Sequence, residues 1–502
     1  MGGEIQMKHS KHSKKRVIKS LQSCCAVVAA GLFIGAVYPD AVLASNDNPK
    51  IDYGLTAGLS SMTINNTHFG LGQLGVYFPT WGSTDIARTE GYFAPSANLL
   101  WKTSDSGTVY GGLRAVGSIT RGDGDSWGLT VGQHHDYVLG AEVGENMSYL
   151  NLDKIYLGWK SGNNISFLDT DGLDISVGKQ NFQLGDGMVL TDGNDEASPH
   201  KGIYWLDPRQ AWNNSAIVRL KSLPYQLELF YLQSNTYIKD EDPTADIYKD
   251  SILGGNFELV DKKLGKVGVS YFKVASSNNP MRDGLSVTGL HSRGNPVSTL
   301  QNLELAGEVD FQKNNNSYIN RDAVAWFAEA KYFMPSLPWY PTLGYRYSSF
   351  SGDKASTSKN EGWDYLYNGS TERGFGYWYQ GIVVGTYETR LSNLDTHFVN
   401  LTLIPPVKGS WMKVFYYNYQ FNDPSTAQVY TNAAVSSNKF ASEWDFILGY
   451  SPTQKVDYML IYGSAKPAQG GIERVSGSLN GFPIGLNNKT ATMLQFTMLY
   501  HM

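Results

Sequence analysis

Cysteine is almost absent from this 502-residue sequence, which contains only Cys24 and Cys25, both near the N-terminus. A disulfide framework or a cysteine-ligated metal site is therefore excluded for the rest of the chain. Long apolar runs are scarce as well. The clearest one extends from about Cys24 to Tyr38 and is too short to be a good membrane-spanning helix.

The position of that apolar run predicts a secretory signal peptide. Residues 1–20 carry six basic side chains, the apolar run follows them, and small residues up to Ala44 precede a polar start at Ser45. We expect cleavage after Ala44, which gives a signal peptide at 1–44 and a mature barrel domain at 45–502. Both cysteines leave with the signal peptide.

Excess positive charge is also missing. The whole chain has 41 basic and 46 acidic residues, and removing the six basic and two acidic residues of 1–44 leaves 35 against 44. A net charge of about −9 on the mature chain speaks against nucleic acid as a partner.

Glycine, tyrosine and tryptophan are abundant, with 53, 32 and 12 residues in the whole sequence. They occur among segments that alternate apolar and polar residues, as where Leu173, Ile175 and Val177 alternate with Asp174 and Ser176. This alternation predicts β-strands with one apolar and one polar face. In an exported chain it is typical of an outer-membrane barrel, whose apolar face contacts lipid and whose polar face lines an aqueous lumen.

Eighteen such segments predict an all-β, antiparallel, up-and-down transmembrane barrel of 18 strands. They centre near 51–64, 92–102, 108–118, 150–160, 172–182, 214–221, 225–234, 251–259, 267–276, 284–291, 301–311, 323–334, 341–350, 396–404, 413–421, 443–450, 456–464 and 490–502. Short and long connections alternate, as expected for short periplasmic turns and long extracellular loops. The loop at 183–213 is expected to fold inward and narrow the pore, because structureless loops of that length are uncommon unless functional.

Strand parity predicts which charged side chains face the lumen, since a basic residue at the lipid-facing midplane would cost about 2–4 kcal/mol. The predicted pore-lining and substrate-binding residues are Arg114, Lys154, Lys179, Arg219, Lys221, Lys331, Arg346, Glu304, Glu308 and Asp310. Glu228, Glu329, Glu443 and Asp445 are also expected inside. Lys179 shares the parity of lipid-facing Ile175 and Val177, so it reaches the lumen only if a bulge or the strand end turns it inward. A lumen of such mixed sign should not favour a polyanion strongly.

No cofactor is expected. The candidate ion-binding clusters are Asp123 with Asp125, Asp169 with Asp171, Asp192 with Asp195 and Glu196, and the pair His134 and His135 beside Asp136. The acidic clusters lack the spacing of a twelve-residue calcium loop, and the histidines lack further ligands. Calcium bound in a loop stays an open alternative.

Four stretches of this sequence resemble the alginate export family of outer-membrane porins. They are VGKQNFQLGDG with the following AWNNSAIVRL, GYRYSSFSGD, DYLYNGSTERGFGYWYQG, and SEWDFILGYSPTQKVDYMLIYGSAKPAQG. The resemblance implies an 18-stranded barrel that lets an anionic polysaccharide leave the cell passively through an arginine-rich constriction. The sequence departs from that pattern at Lys179. Its ammonium group is a point charge and cannot bind a carboxylate through two parallel hydrogen bonds, as the planar guanidinium group of arginine does.

We therefore predict a passive outer-membrane channel, not an enzyme, because parity brings no nucleophile and base together. Its main predicted role is export of an anionic polysaccharide such as alginate. A general or substrate-selective nutrient porin is the alternative, and a receptor or adhesin acting through its long loops is a third. The expected partners are outer-membrane lipid, an anionic saccharide or another small hydrophilic solute, and the barrel-assembly machinery.

Overall fold

The computed structural model describes residues 48–72, 84–103, 107–122, 146–191, 193, 203, 205–206, 208–234, 249–261, 264–297, 299–369, 378, 380–427, 434–479 and 482–502. Within these residues, 18 strands form one closed antiparallel barrel, which confirms the predicted fold class. The predicted signal peptide and its cleavage site lie outside the described residues. No helix in the described ranges is long and apolar enough to cross a membrane.

The barrel strands follow one another round the ring in chain order. They are β1 (Lys50–Asn65), β2 (Ile86–Thr103), β3 (Gly107–Gly122), β4 (Asn146–Lys160), β5 (Leu173–Gln180), β6 (Trp212–Ser222), β7 (Tyr225–Gln233), β8 (Ser251–Asp261), β9 (Gly265–Ser276), β10 (Ser286–Gly294), β11 (Leu303–Asn315), β12 (Asn320–Phe333), β13 (Thr342–Phe350), β14 (Leu394–Leu403), β15 (Ser410–Phe421), β16 (Lys439–Thr453), β17 (Val456–Pro467) and β20 (Ala491–His501). A two-stranded hairpin of β18 (Gly477–Leu479) and β19 (Phe482–Gly485) precedes the last strand.

Closure occurs between the first and the last strand, where Leu59 of β1 lies opposite Met498 of β20. Each barrel strand therefore has a hydrogen-bonded neighbour on both sides, and no edge is left to recruit another chain. The short helical elements all lie in connections. They are α1 (Gln469–Arg474), two 3₁₀ turns (Thr67–Gly70 and Pro424–Thr426) and a π-helical turn (Gly381–Glu388).

Every predicted strand segment has one observed strand, although some strands are longer than predicted. β2 begins at Ile86, not near residue 92, because Arg88 and Glu90 belong to it. Their side chains form an ion pair of 3.0 Å inside the barrel, each about 1% exposed. Pairing allows both charges to be buried, and this is a tertiary effect that the alternation of apolar residues does not reveal.

The outer face of the barrel is apolar. Leu253, Tyr271, Leu290 and Phe311 are 59%, 53%, 53% and 46% exposed on four adjacent strands, while their chain neighbours point inward. A closed sheet that turns large apolar side chains outward is suited to contact with hydrocarbon.

The two ends of the barrel differ. At the short-turn end, connections are as brief as Leu223 and Pro224 between β6 and β7. The connections between β5 and β6, β13 and β14, and β17 and β20 meet at the opposite, long-loop end. This sorting of connections follows the pattern predicted from the sequence.

The described parts of two of the long connections fold into the barrel. The first inward loop (181–211) follows β5, and the second inward loop (351–393) follows β13. The backbone N–H of Thr191 donates to the carbonyl of Tyr367 at 2.8 Å, and the N–H of Tyr367 donates to Val189 at 3.1 Å. The indole of Trp378 donates to the carbonyl of Asp186 at 2.9 Å. The described parts of these loops thus pair with each other inside the ring and bury two apolar clusters against the wall.

Asp364 fixes the second inward loop to the wall. Its carboxylate accepts two hydrogen bonds from Arg282, at 2.8 and 3.0 Å, and one from Arg321 at 3.0 Å. The side chain of Gln312 also bonds to the backbone N–H and carbonyl of Asp364. Burial alone would raise the pKa of Asp364, but the two guanidinium groups outweigh it and hold that pKa below the usual value for aspartate.

Candidate functional site

All ten residues predicted to line the pore lie on the inner side of the wall, and, apart from three near the short-turn end, they fall into two groups. Some meet the open part of the lumen, and others are covered by the inward loops. The first group, which we call the basic wall, lies on β3 to β6. The second, which we call the far wall, lies on β11 to β16. β12 is eight strands beyond β4 in the ring of 18, which is nearly half way round.

A bulge in β4 organises the basic wall. Arg114 of β3 is paired with Lys154, but the next residue, Ala115, is paired with Leu152, so Asp153 is the extra residue. A bulge of this kind lets two successive side chains face the same side. Asp153 is fully buried and accepts a hydrogen bond from Arg114 at 3.1 Å. Strict alternation would have placed Asp153 on the lipid side, and the sequence analysis missed it for that reason.

A second register shift turns Lys179 inward. Gly178 is opposite Ser215, whereas Gln180 is opposite Trp212, so Lys179 falls in the irregular step between them. Gly178 has φ of 123°, a conformation that L side chains rarely adopt. Lys179 is only 8% exposed, and its charge acts on the Asp153 carboxylate. Simple parity placed Lys179 towards lipid, and the bulge is the physical reason that it lies inside.

The basic wall borders a cavity of about 270 Å³ that is open to the lumen. It is lined by Tyr110, Lys154, Tyr156, Lys160, Asp174, Gln180, Asn181 and Arg219. Most of the lining comes from β3 to β6, with the bulge in β4 supplying Lys154. Three cations face this cavity against one carboxylate.

The charged side chains that line the cavity differ in whether they already contact another side chain of the protein. Arg219 donates to Glu228 at 2.7 Å, and Tyr110 donates to Asp174 at 2.5 Å. The ammonium of Lys160 lies 5.3 Å from the centre of the Tyr110 ring, within range of a cation–π contact. Lys154 forms no salt bridge or side-chain hydrogen bond with any described residue, so its ammonium group is available to an anion in the cavity.

The far wall uses its charges to hold the inward loops. Glu443 accepts hydrogen bonds from the backbone N–H groups of Val383 and Val384 at 2.7 and 2.8 Å, and Asp445 accepts from Ile382 at 3.3 Å. These N–H groups begin the π-helical turn of the second inward loop, so the carboxylates satisfy donors that the turn leaves unpaired. Both carboxylates are fully buried.

Other predicted far-wall residues are covered in the same way. Arg346 is fully buried, with its guanidinium carbon 4.3 Å from the centre of the Trp378 ring and 5.0 Å from that of Phe398. Glu308 and Asp310 are 8% and 1% exposed, and Gly185 of the first inward loop lies beside Glu308. They face inward as parity predicted, but the loops separate them from the open lumen.

Three predicted residues lie near the short-turn end. Lys331 is 3.3 Å from Glu329, and Glu304 lies 3.3 Å from the partly exposed Arg293. Lys221 is exposed near the end of β6. Their roles in lining the pore and binding substrate stay predictions, as do those of the basic-wall residues.

Sequence reasoning did not single out Tyr110, Tyr156, Lys160 and Asp174 as site residues. Asp174 had the parity of a lumen-facing residue. Tyrosines and lysines near strand ends are common in this sequence, so their presence did not mark Tyr110, Tyr156 or Lys160 as site residues. The adjacent charges Asp153 and Lys154 were the best available signal, because two successive charges in a strand cannot both avoid lipid without a bulge.

No group of three His, Cys, Asp or Glu residues in the described ranges is arranged to hold a metal ion. Asp169 and Asp171 accept hydrogen bonds from the backbone N–H groups of Leu223 and Gly162 and so stabilise the short-turn end. The remaining candidate clusters, at 123–125, 134–136 and 192–196, lie outside the described residues.

Comparisons with known proteins identify similar folds at low sequence identity. No family model matches the chain, and no similar sequence was found among curated proteins, so membership of the alginate export family is not shown. The outer-membrane protein OpdK from Pseudomonas aeruginosa has a similar structure, with a TM-score of 0.49 and 12% identity over 90% of this chain and 98% of that one. OccK8 (OprE) from Pseudomonas aeruginosa gives 0.49 and 12% over 90% and 98%, and OccK7 (OpdD) gives 0.48 and 11% over 91% and 99%.

Proposed function

We propose that this protein is an outer-membrane channel through which small hydrophilic solutes pass, and that the basic wall favours solutes with an anionic group. The barrel has the apolar outer face and the sorted connections that such a location requires. The observation that carries the proposed selectivity is Lys154, a cation beside the cavity with no partner among the described residues. An anion passing the cavity would pair with the ammonium group of Lys154.

The size of the cavity beside the basic wall favours binding of small solutes over binding of a polymer. The described parts of the two inward loops pack against the far wall, and the first also reaches the basic wall, where Arg114 donates to the carbonyl of Pro208 at 3.0 Å. The cavity beside the basic wall measures about 270 Å³. Binding sites for small molecules commonly have volumes of a few hundred Å³. The nutrient-porin alternative is therefore our main proposal, and export of an anionic polysaccharide is the alternative that the test must separate from it.

The test is selectivity of the purified channel in a planar lipid bilayer. In a salt gradient we expect the wild type to have an anion-selective reversal potential and to show brief block by a monomeric uronate. Lys154→Glu should move the reversal potential towards cations and weaken that block. Lys455→Glu makes the same charge change in the exposed turn between β16 and β17, outside the lumen, and should leave both unchanged.

Three results would contradict the proposal in different ways. A cation-selective wild type that ignores uronates would overturn the anion preference but leave the channel itself standing. Passage of long oligouronates as readily as of monomers would support polysaccharide export and overturn the preference for small solutes. Absence of any conductance from folded protein would overturn the channel proposal.

A further inference from the structure

A row of charged side chains lies on the outside of the barrel near the long-loop end. Ser286 of β10 is in register with Lys273 of β9 on one side and with Lys313 of β11 on the other. Lys313 is in turn opposite Asp322 of β12. We call Lys273 and Lys313 the outer lysine row; Lys359, from the connection after β13, pairs with Asp322 at 2.5 Å.

Parity places this row on the lipid side of the wall. Lys273 is exposed like Tyr271 and Val269, while Phe272 and Val274 between and beside them are fully buried. On β11, Lys313 is exposed like Phe311, and the intervening Gln312 is fully buried. The lysines therefore cannot reach a solute in the lumen, and a role in the transport pathway does not explain them.

The position of the two lysines along their strands indicates which part of the membrane they contact. Tyr271 and Phe311 lie one pleat nearer the barrel centre, and the apolar Leu290 and Val309 follow below them. Lysines directly above an aromatic and aliphatic surface occupy the level at which lipid headgroups meet hydrocarbon. A ligand at that level has its apolar part against the wall and its charge beside the lysines.

The charge of the row selects the headgroup. Neither Lys273 nor Lys313 forms a salt bridge with a described residue, and Asp322 is already engaged by Lys359. Neighbouring strands are about 4.8 Å apart, so the backbones of Lys273 and Lys313 lie roughly 10 Å apart across Ser286. Two flexible ammonium groups at that separation can converge on one phosphate or contact two phosphates of the same headgroup.

We propose that the outer lysine row docks a phosphorylated lipid of the outer leaflet, with its acyl chains along the apolar face of β9 to β11 and its phosphates on Lys273 and Lys313. This proposal rests on the membrane location proposed above but not on the selectivity of the lumen. The occupant is an amphiphile because the surface below the lysines is apolar. It is an anion because two cations against one carboxylate, which Lys359 already engages, leave an excess of positive charge there.

The experiment uses full-length mature protein, folded in detergent and checked by its heat-modifiable mobility on a gel. It is titrated with bis-phosphorylated lipid A in phosphatidylcholine mixed micelles, and binding is measured by co-elution and by the rise in the temperature at which the heat-modifiable form is lost. A lysine near an anionic lipid surface contributes a factor of about five. The double variant Lys273→Glu with Lys313→Glu should therefore bind at least roughly 25-fold more weakly.

A matched control and two further probes decide the outcome. Lys466 of β17 is an isolated exposed lysine facing outward at the same end, and Lys466→Glu should weaken binding by no more than about fivefold. Dephosphorylated lipid A should give little stabilisation. Equal binding by the double variant, equal binding of dephosphorylated lipid, or equal stabilisation by inorganic phosphate alone would each overturn the proposal. If the double variant fails to fold, Lys273→Gln with Lys313→Gln replaces it, and the same outcomes apply.

Discussion

The basic wall and the far wall present charged side chains towards the same interior, yet they use them differently. On the basic wall, Lys154 and Arg219 remain partly exposed beside a cavity. On the far wall, Glu443 and Asp445 are fully buried and bind backbone N–H groups of an inward loop. A side chain that faces the lumen therefore need not meet the solute, because a loop can cover it.

This difference changes how the mixed sign of the lumen should be interpreted. The sequence suggested that the carboxylates would cancel the cations and leave little preference for anions. Carboxylates that are covered by a loop and accept hydrogen bonds from its N–H groups contribute less to the electric field in the open lumen than exposed carboxylates do. Exposed charges further away than a Debye length, about 8 Å, are largely screened by salt. The selectivity is then set by the charges that border the cavity.

The largest effect is expected where the far wall holds its loop most tightly. Asp364→Asn removes the carboxylate that Arg282 and Arg321 share, so that Arg282 keeps only Asp250, at 3.4 Å. Breaking a buried pair in this way costs about 3–5 kcal/mol. The second inward loop should loosen, which lowers the thermal stability of the heat-modifiable form and raises single-channel conductance. Asp322→Asn removes a solvent-exposed ion pair with Lys359 and should change thermal stability little, because solvent screens the attraction between exposed charges. Equal effects of the two substitutions would show that burial of the Asp364 pair does not matter.

The same position gives a pH dependence with a defined sign. The pKa of Asp364 is lowered in the folded protein, so its contribution to stability is fully present above the unfolded pKa and is lost only as pH falls through the lower folded value. The difference in stability between wild type and Asp364→Asn should thus be unchanged from pH 7 to pH 5. It should begin to shrink only below the usual pKa of aspartate, about 3.9. A difference in stability that vanishes by pH 5 would contradict the pairing of Asp364 with the two arginines.

A smaller effect is expected at Glu443. Replacing it by Gln keeps the shape but removes the charge that accepts the N–H groups of Val383 and Val384, and such charge-assisted hydrogen bonds contribute about 1.5–3 kcal/mol. Stability should fall while the reversal potential in a salt gradient stays the same. A clear shift in the reversal potential would mean that charges of the far wall do act on the solute, and the proposed difference between the two walls would then be wrong.

The reverse pattern is expected for Lys154→Gln on the basic wall. The attraction between two charges 4 Å apart in water is about 1 kcal/mol, so the affinity for a small carboxylate should fall roughly fivefold. Thermal stability should change little, because Lys154 forms no salt bridge or side-chain hydrogen bond with a described residue and Arg114 still pairs with the neighbouring Asp153. Loss of stability without loss of carboxylate block would identify Lys154 as a structural residue.

The smallest effect is expected at the long-loop end, away from both walls. Hydrogen bonds from Gln469 and from Ser436 lower the pKa of Glu473 to about 2, which links α1 to the loop before β16. This contact should survive above the unfolded pKa and disappear only as pH approaches 2. Glu473→Gln should speed proteolytic cleavage near Ser436 while leaving conductance unchanged. Equal cleavage rates would show that the contact does not hold the loop.

The sequence predicted the barrel well because alternation is enforced strand by strand. Each of β1 to β17 and β20 needs an apolar outer row, so the count and the parity could be read directly. The inner orientation of Lys179 and Asp153 could not, because a one-residue bulge reverses the parity without a specific sequence pattern. The inward course of 183–213 was expected from its length, and its described part does lie inside. That the loop after β13 also enters was missed, since only its contacts with residues such as Glu443 reveal it.

The pairing between the two inward loops has a consequence for how the molecule forms. Leu190 bridges to Tyr367, which is 177 residues later in the chain. Contacts between such distant residues form slowly, because a long stretch of chain must be ordered before they can stabilise anything. The first inward loop can therefore make this contact only after the second inward loop, which follows β13, has reached its position. Closure of the ring joins residues that are still further apart in the chain, such as Leu59 and Met498. The inward loops are therefore expected to pair before the ring closes or as it closes, so that the barrel closes around an interior that is already filled.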